Sequence, residues 1–220
     1  MDLDAIREAF SRDGCVVIPN FLNHEELVEL DARTEAYLDK GKHRERFKNA
    51  KAFAGTLKNL NVHDEWFDQL LRKGRPAKVV SQLIDDELHP ATAAFFDRLP
   101  GEEIGIAPHF DALGHRRAGA TLWIALDDTR KENGCLYYVK GSHKHRYESK
   151  VGLSGFDEST EGAFAVELNP GDAAVHSSLT IHWSYPNQSE RSRRGVSFFY
   201  SAASSKGEEF AKKDWVRRAK

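Results

Sequence analysis

Cysteine is scarce in this chain. Its 220 residues hold two, Cys15 and Cys135, and no Cys-x-x-Cys pair. A disulfide scaffold and a structural zinc site are not expected, and the count fits a reducing, cytoplasmic setting. Long apolar runs are missing as well. None approaches the ~18 residues that a membrane span needs, so no membrane partner is expected. The opening MDLDAIREAF is acidic and amphipathic, unlike a signal or transit peptide. An excess of one charge is also lacking. Lys and Arg number 32 against 34 Asp and Glu, which argues against a general nucleic-acid partner.

Aromatics are plentiful, with 13 Phe and 4 Trp, so a packed core is expected rather than disorder. The length suits a single domain over 1–220. Leu3, Ile6 and Phe10 share a helical face that Ser11–Gly14 ends, and Cys15–Ile18 reads as a buried strand. Asn23 and Glu26 have the spacing of a capping box ahead of an amphipathic helix. A basic run over 40–51 reads as a solvated loop. Further helices are expected around Trp66–Leu71 and Ala77–Ile84.

From about residue 89 the pattern becomes short β-rich runs between turn signals. The runs are 91–98, 104–111, 118–126, 135–140, 163–168, 172–177, 180–184 and 194–202. Eight short strands at this spacing suggest a sandwich or jelly roll. The fold class expected is mainly β with flanking α, a jelly-roll core over about 89–203. A helical N-terminal part (1–88) buttresses it, and a charged helix follows over about 206–220.

Ten histidines direct attention to metal chemistry. His109 and Asp111 stand two apart in Pro-His-Phe-Asp, so in an extended segment both side chains face one way. His182 lies on a late strand. Two imidazoles and a carboxylate make the facial triad of non-haem Fe(II) sites, which leaves positions for a co-substrate and O2. Arg193 follows His182 by eleven residues and offers a planar fork for the distal carboxylate of a keto-diacid such as 2-oxoglutarate. It is expected one neighbouring strand away from the metal. Ser184, on the face of His182, can give that carboxylate a hydroxyl. His176, six residues before His182, is the rival third ligand. His115, His143 and His145 read as rim residues, and Trp183 as either core or pocket wall.

The stretch from about 96 to 202 resembles the phytanoyl-CoA dioxygenase (PhyH) family of Fe(II)/2-oxoglutarate-dependent oxygenases. The motifs are HFD at 109–111, TLWIALDD at 121–128, ENGCLYYVKGSHK at 132–144, NPGDAAVHSSLTIHWSYPN at 169–187 and RRGVSFFYSA at 193–202. The opening FSRDGCVVIPNFLNHEEL is similar too. The resemblance implies a double-stranded β-helix of the jelly-roll and cupin kind. It implies His109, Asp111 and His182 as iron ligands, Arg193 for the distal carboxylate, and Trp123 and Ser184 beside the co-substrate. Where the family motif often reads Trp-His-Gln-Asp, this chain has Phe110 in place of the amide. The implied activity consumes 2-oxoglutarate and O2, releases succinate and CO2, and hydroxylates a small-molecule substrate. Related halogenases carry a small residue where Asp111 stands, so the carboxylate argues for hydroxylation, or for a desaturation or ring closure with the same beginning.

Two other classes remain in view. A non-redox cupin-like isomerase or small-molecule-binding protein would use a similar barrel without needing Arg193. A nucleic-acid repair enzyme would need a basic face with interleaved aromatics, which 40–51 lacks beyond Phe47.

Overall fold

The computed structural model describes residues 2–39, 55–84, 86–111, 119–145, 147 and 153–203. The basic run 40–51, His115 and the expected C-terminal helix lie outside them.

Helix α1 (Leu3–Asp13) starts where the Asp2 side chain accepts from the Ala5 N–H and stops at Gly14, whose φ of 76° an L side chain rarely adopts. Helix α2 (His24–Asp39) opens with the reciprocal bonds that its sequence predicts. The Asn23 side chain accepts from Glu26 N–H, and Glu26 accepts from Asn23 N–H, each at 2.9 Å. A short α3 (Leu60–His63) leads to α4 (Glu65–Lys73), which Asp64 caps, and to α5 (Arg75–Leu83) with Pro76 in its first turn. No helix among the described residues is long and apolar enough to cross a membrane.

Among the described residues, ten strands form two antiparallel sheets. The larger runs β1 (Cys15–Ile18), β8 (Ala173–Ser177), β5 (Gly119–Ala125), β10 (Arg193–Ala202), β3 (Leu88–Arg98) and β2 (Thr56–Lys58). The smaller runs β4 (Ile106–His109), β9 (His182–Ser184), β6 (Leu136–Val139) and β7 (Ala163–Val166). All eight late strands appear, with ends moved by a few residues. The N-terminal part contributes more than helices, because β1 and β2 form the two edges of the larger sheet.

Alternation along the strands sorts the core into three layers. Leu122, Ile124, Val175, Val196, Phe198 and Tyr200 point outward from the larger sheet and meet Phe10, Leu30, Phe67, Leu71 and Val80 of the helices. Between the sheets lie Cys15, Trp123, Ala125, Tyr138, Val166, Leu168 and Ala174. Cys135, Tyr137, Val139, Ile181 and Trp183 cover the outer face of the smaller sheet. The buried polar residues Thr121, His176, His182, Ser184 and Arg193 also lie in this inner layer, and with them the candidate site.

Candidate active site

The fold brings His109, Asp111 and His182 together, with one potential ligand atom from each within 4.8 Å of the others. His109 ends β4 and His182 begins β9, and the two are direct partners across that strand pair. Their rings are 4.2 Å apart between centroids. The strand departs after His109, and two residues later the Asp111 carboxylate returns to the same side. Each imidazole donates its Nδ1–H to a backbone carbonyl two residues earlier, His109 to Ala107 and His182 to Thr180, both at 2.9 Å. That fixes the tautomer and leaves both Nε2 lone pairs free for a metal. Burial lowers the proton affinity of both imidazoles, His182 most strongly, which keeps those lone pairs available. Burial works to raise the Asp111 carboxyl, but His182 and a hydrogen bond from His176 outweigh it and hold the group well below the usual carboxylate range. Two neutral imidazoles and one carboxylate are a donor set that fits a divalent iron with open positions.

His176, the rival ligand, is also here, on the inner face of β8. It is buried, its Nε2 is 3.2 Å from Asp111 Oδ2, and its Nδ1 is 2.9 Å from the Tyr138 hydroxyl. The Thr121 hydroxyl donates to the same Asp111 oxygen at 3.0 Å. The sequence posed His176 and His182 as alternatives, whereas the structure places both side by side in different sheets, with ring centroids 4.4 Å apart.

Arg193 is 2% exposed and makes no ion pair among the described residues; its Nε has no hydrogen-bond partner. Burial, then the facing Arg98, brings its guanidinium down to about 10, so it stays charged at neutral pH. Its guanidinium lies over the Trp123 ring, with the guanidinium carbon 5.2 Å from the ring centroid. The indole reaches there because residue 195 is glycine. A Cβ at Gly195 would stand 1.9 Å from Trp123 Cζ2. Ser184 Oγ, on the inner face of β9, is another buried polar atom without a partner. A buried cation against an aromatic wall suits a carboxylate end group. The expected strand placement needs one correction. β10 is not hydrogen-bonded to the metal-bearing strands but belongs to the facing sheet, so Arg193 reaches the inner layer from across the sandwich.

Several residues carried no sequence signal. Thr121 and Tyr138 lie inside the motifs at 121–128 and 132–144 with nothing in the sequence to single them out. Lys58, on the short edge strand β2, acts electrostatically on Asp111 and His109. Solvent still reaches it, yet the protein packed around it lowers its ammonium, with Asp111 opposing that shift. Trp183 is resolved as outer-face core, stacked on Tyr137 at 5.3 Å. His143 packs against α1 beside Ser11 O, and His145 lies near Tyr147.

The family profile described as phytanoyl-CoA dioxygenase (PhyH) matches residues 10–195. A phytanoyl-CoA dioxygenase of Arabidopsis thaliana is 36% identical over 134 residues, covering 55% of this chain and 46% of that protein. The chain thus spans under half the length of that plant relative. Dioxygenase olcK of Penicillium canescens is 24% identical over 225 residues, 89% of this chain and 69% of the fungal one. Among solved structures, the non-heme α-ketoglutarate-dependent epimerase SnoN of nogalamycin biosynthesis superposes with a TM-score of 0.78 at 24% identity. The match covers 91% of this chain and 83% of that one. The likeness to SnoN establishes a shared fold, and the profile match over most of the length places this chain in the phytanoyl-CoA dioxygenase family.

Proposed function

We propose that the chain is an Fe(II)- and 2-oxoglutarate-dependent dioxygenase that hydroxylates a small-molecule metabolite, working as one domain in a reducing compartment. His109, Asp111 and His182 would hold the iron. Arg193 would bind the distal carboxylate of 2-oxoglutarate, with Ser184 and Trp123 beside it. The observation that carries this reading is the buried, charged, unpaired Arg193 in the same inner layer as the triad. A charge left unpaired in the interior is expensive, and a dianionic co-substrate supplies its partner. A non-redox cupin-like protein has no use for that cation.

Iron supplies the activation of O2 when bound. The protein's part is binding and orientation. The His109 and His182 tautomers present Nε2, Asp111 adds one negative charge, and Arg193 anchors the co-substrate from the facing sheet. Lys58 places a second cation within electrostatic reach of Asp111 and His109. In the overall reaction one oxygen atom of O2 enters the product, the other enters succinate, and carbon dioxide leaves from 2-oxoglutarate.

Adding Fe(II) and then 2-oxoglutarate under anaerobic conditions tests the reading. A weak visible charge-transfer band is expected, and its absence would favour the non-redox class. A metabolite screen that follows succinate then finds the substrate. Product mass reads the outcome: hydroxylation adds one oxygen atom, desaturation or ring closure removes two hydrogens, and epimerisation leaves the mass unchanged.

A further inference from the structure

Asp111 differs from the two histidines in having two equivalent donor atoms. Nothing in a carboxylate itself decides whether it grips a metal through one oxygen or both. The difference matters, because a second Asp111 oxygen on the metal would fill one of the positions that a facial triad leaves open. The protein settles the choice from outside. Asp111 Oδ2 accepts from Thr121 Oγ1 at 3.0 Å and from His176 Nε2 at 3.2 Å. Oδ1 is left toward the other candidate ligands, 3.7 Å from His182 Nε2.

His176 is held in turn. Its strand neighbours Cys15 and Thr121 flank it on both sides in the larger sheet. The Tyr138 hydroxyl meets its Nδ1 at 2.9 Å from the opposite sheet. Tyr138 is fully buried, and that burial raises its phenol well above its ordinary value, so it keeps its proton. A phenol that donates to Nδ1 leaves the imidazole hydrogen on Nε2, where the carboxylate accepts it. Every bond in the series Tyr138 to His176 to Asp111 then has a donor and an acceptor.

We propose that Tyr138 and His176 form a hydrogen-bond relay that holds Asp111 to one-oxygen metal binding through Oδ1, making His176 a positioning residue and not a ligand. The inference rests on the reading of the triad as a metal site. For His176 to bind the metal itself, it would have to give up Asp111 and release Oδ2.

The test uses the whole chain, with anaerobic Fe(II) titration followed by the 2-oxoglutarate band, and with Co(II) as a spectroscopic probe of coordination. His176→Leu should still bind one Fe(II) per chain at saturation, but about 10- to 100-fold more weakly, as losses of groups that orient ligands do. Its Fe(II)–2-oxoglutarate band and its Co(II) spectrum should both shift. Tyr138→Phe removes one oxygen atom without disturbing the packing and should weaken Fe(II) by about two- to tenfold, as one lost hydrogen bond does. His176→Gln keeps an amide donor near the Nε2 position and should recover most of the affinity and the parental band. Parental affinity and spectra in His176→Leu would overturn the relay. If that variant does not fold, the same result in Tyr138→Phe would overturn it. Loss of iron in His176→Gln as complete as in His109→Ala would make His176 a ligand and overturn the proposal from the other side. A parent protein that takes up no Fe(II) would sink the triad reading itself, a separate failure seen before any variant is made.

Discussion

Arg193 and Arg194 are adjacent in sequence and face opposite sides of one sheet. The Arg193 guanidinium is enclosed between the sheets against Trp123. That of Arg194 lies on the outer side, where Asp127 accepts from its Nε and Nη2 while Asp31 and Glu35 of α2 accept from its Nη1. Alternation along β10 thus leaves one arginine buried between the sheets, without an ion pair among the described residues, and ties the other to carboxylates on the outer side.

Replacing these two residues should have different effects. Arg193→Ala should raise the KM for 2-oxoglutarate a hundredfold or more while Fe(II) still binds, since breaking a buried charge pair costs ~3–5 kcal/mol. Arg194→Ala should leave that KM near the parental value and lower stability by about 1 kcal/mol, typical for a partly exposed ion pair. Steady-state kinetics and thermal unfolding read the two effects, and equal KM changes would contradict the strand placement.

Iron content distinguishes the three central histidines. His109→Ala and His182→Ala should lose bound iron and turnover together, because two remaining ligands hold Fe(II) poorly. His176→Ala should reach the parental stoichiometry at saturating Fe(II) with weaker affinity. Metal analysis after equilibrium dialysis at two iron concentrations checks the pattern.

Much of this site could be read from the residues. His109 and Asp111 stand out because period-two alternation puts both on one side, and Arg193 because it follows His182 by eleven residues at the start of a strand and matches the family resemblance. What could not be read was which sheet each strand joins. The six-residue spacing of His176 and His182 suggests competition for one position, whereas β8 and β9 in fact converge on Asp111 from opposite sheets. Lys58 was invisible for a different cause: β2 is three residues long and has no alternation to detect. The capping box at Asn23 and Glu26 and the eight late strands were legible because their signals are local.

Asp111 bears on the reaction's outcome. With its carboxylate in place the parent should give no chlorinated product in high chloride, as judged by mass spectrometry. Asp111→Ala should lose hydroxylation and bind iron more weakly, and Asp111→Gly should open a position where chloride can bind. Near-normal hydroxylation in Asp111→Ala would show that the carboxylate is not a ligand.

Both thiols should be inert in the folded protein. Burial pushes the Cys15 thiol up to about 12 and that of Cys135 up to about 11, so almost no thiolate exists at pH 8. A thiol reagent at that pH should label neither residue in the native state and both after guanidinium unfolding. Rapid native labelling would contradict the packing around either one.

Gly195→Ala should be costly for its size. The added methyl meets Trp123 Cζ2 at 1.9 Å, so the indole or the strand must move. Overpacking of this kind costs about 1–3 kcal/mol. Because the indole also faces Arg193, 2-oxoglutarate affinity should fall together with the melting temperature, a pairing that Arg194→Ala should not show.

The position of β10 has a consequence for biosynthesis. It is the last strand of the larger sheet to leave the ribosome, yet it lies in the middle, hydrogen-bonded to β5 on one side and β3 on the other. Until it emerges, the strands already made form two unconnected halves, β1-β8-β5 and β3-β2, each with an unpaired inner edge. Arg193, the residue proposed to anchor the co-substrate, opens this same strand. In a nascent chain the sheet can therefore close, and Arg193 take its place between the sheets, only after β10 has emerged, and until then both inner edges stay unpaired.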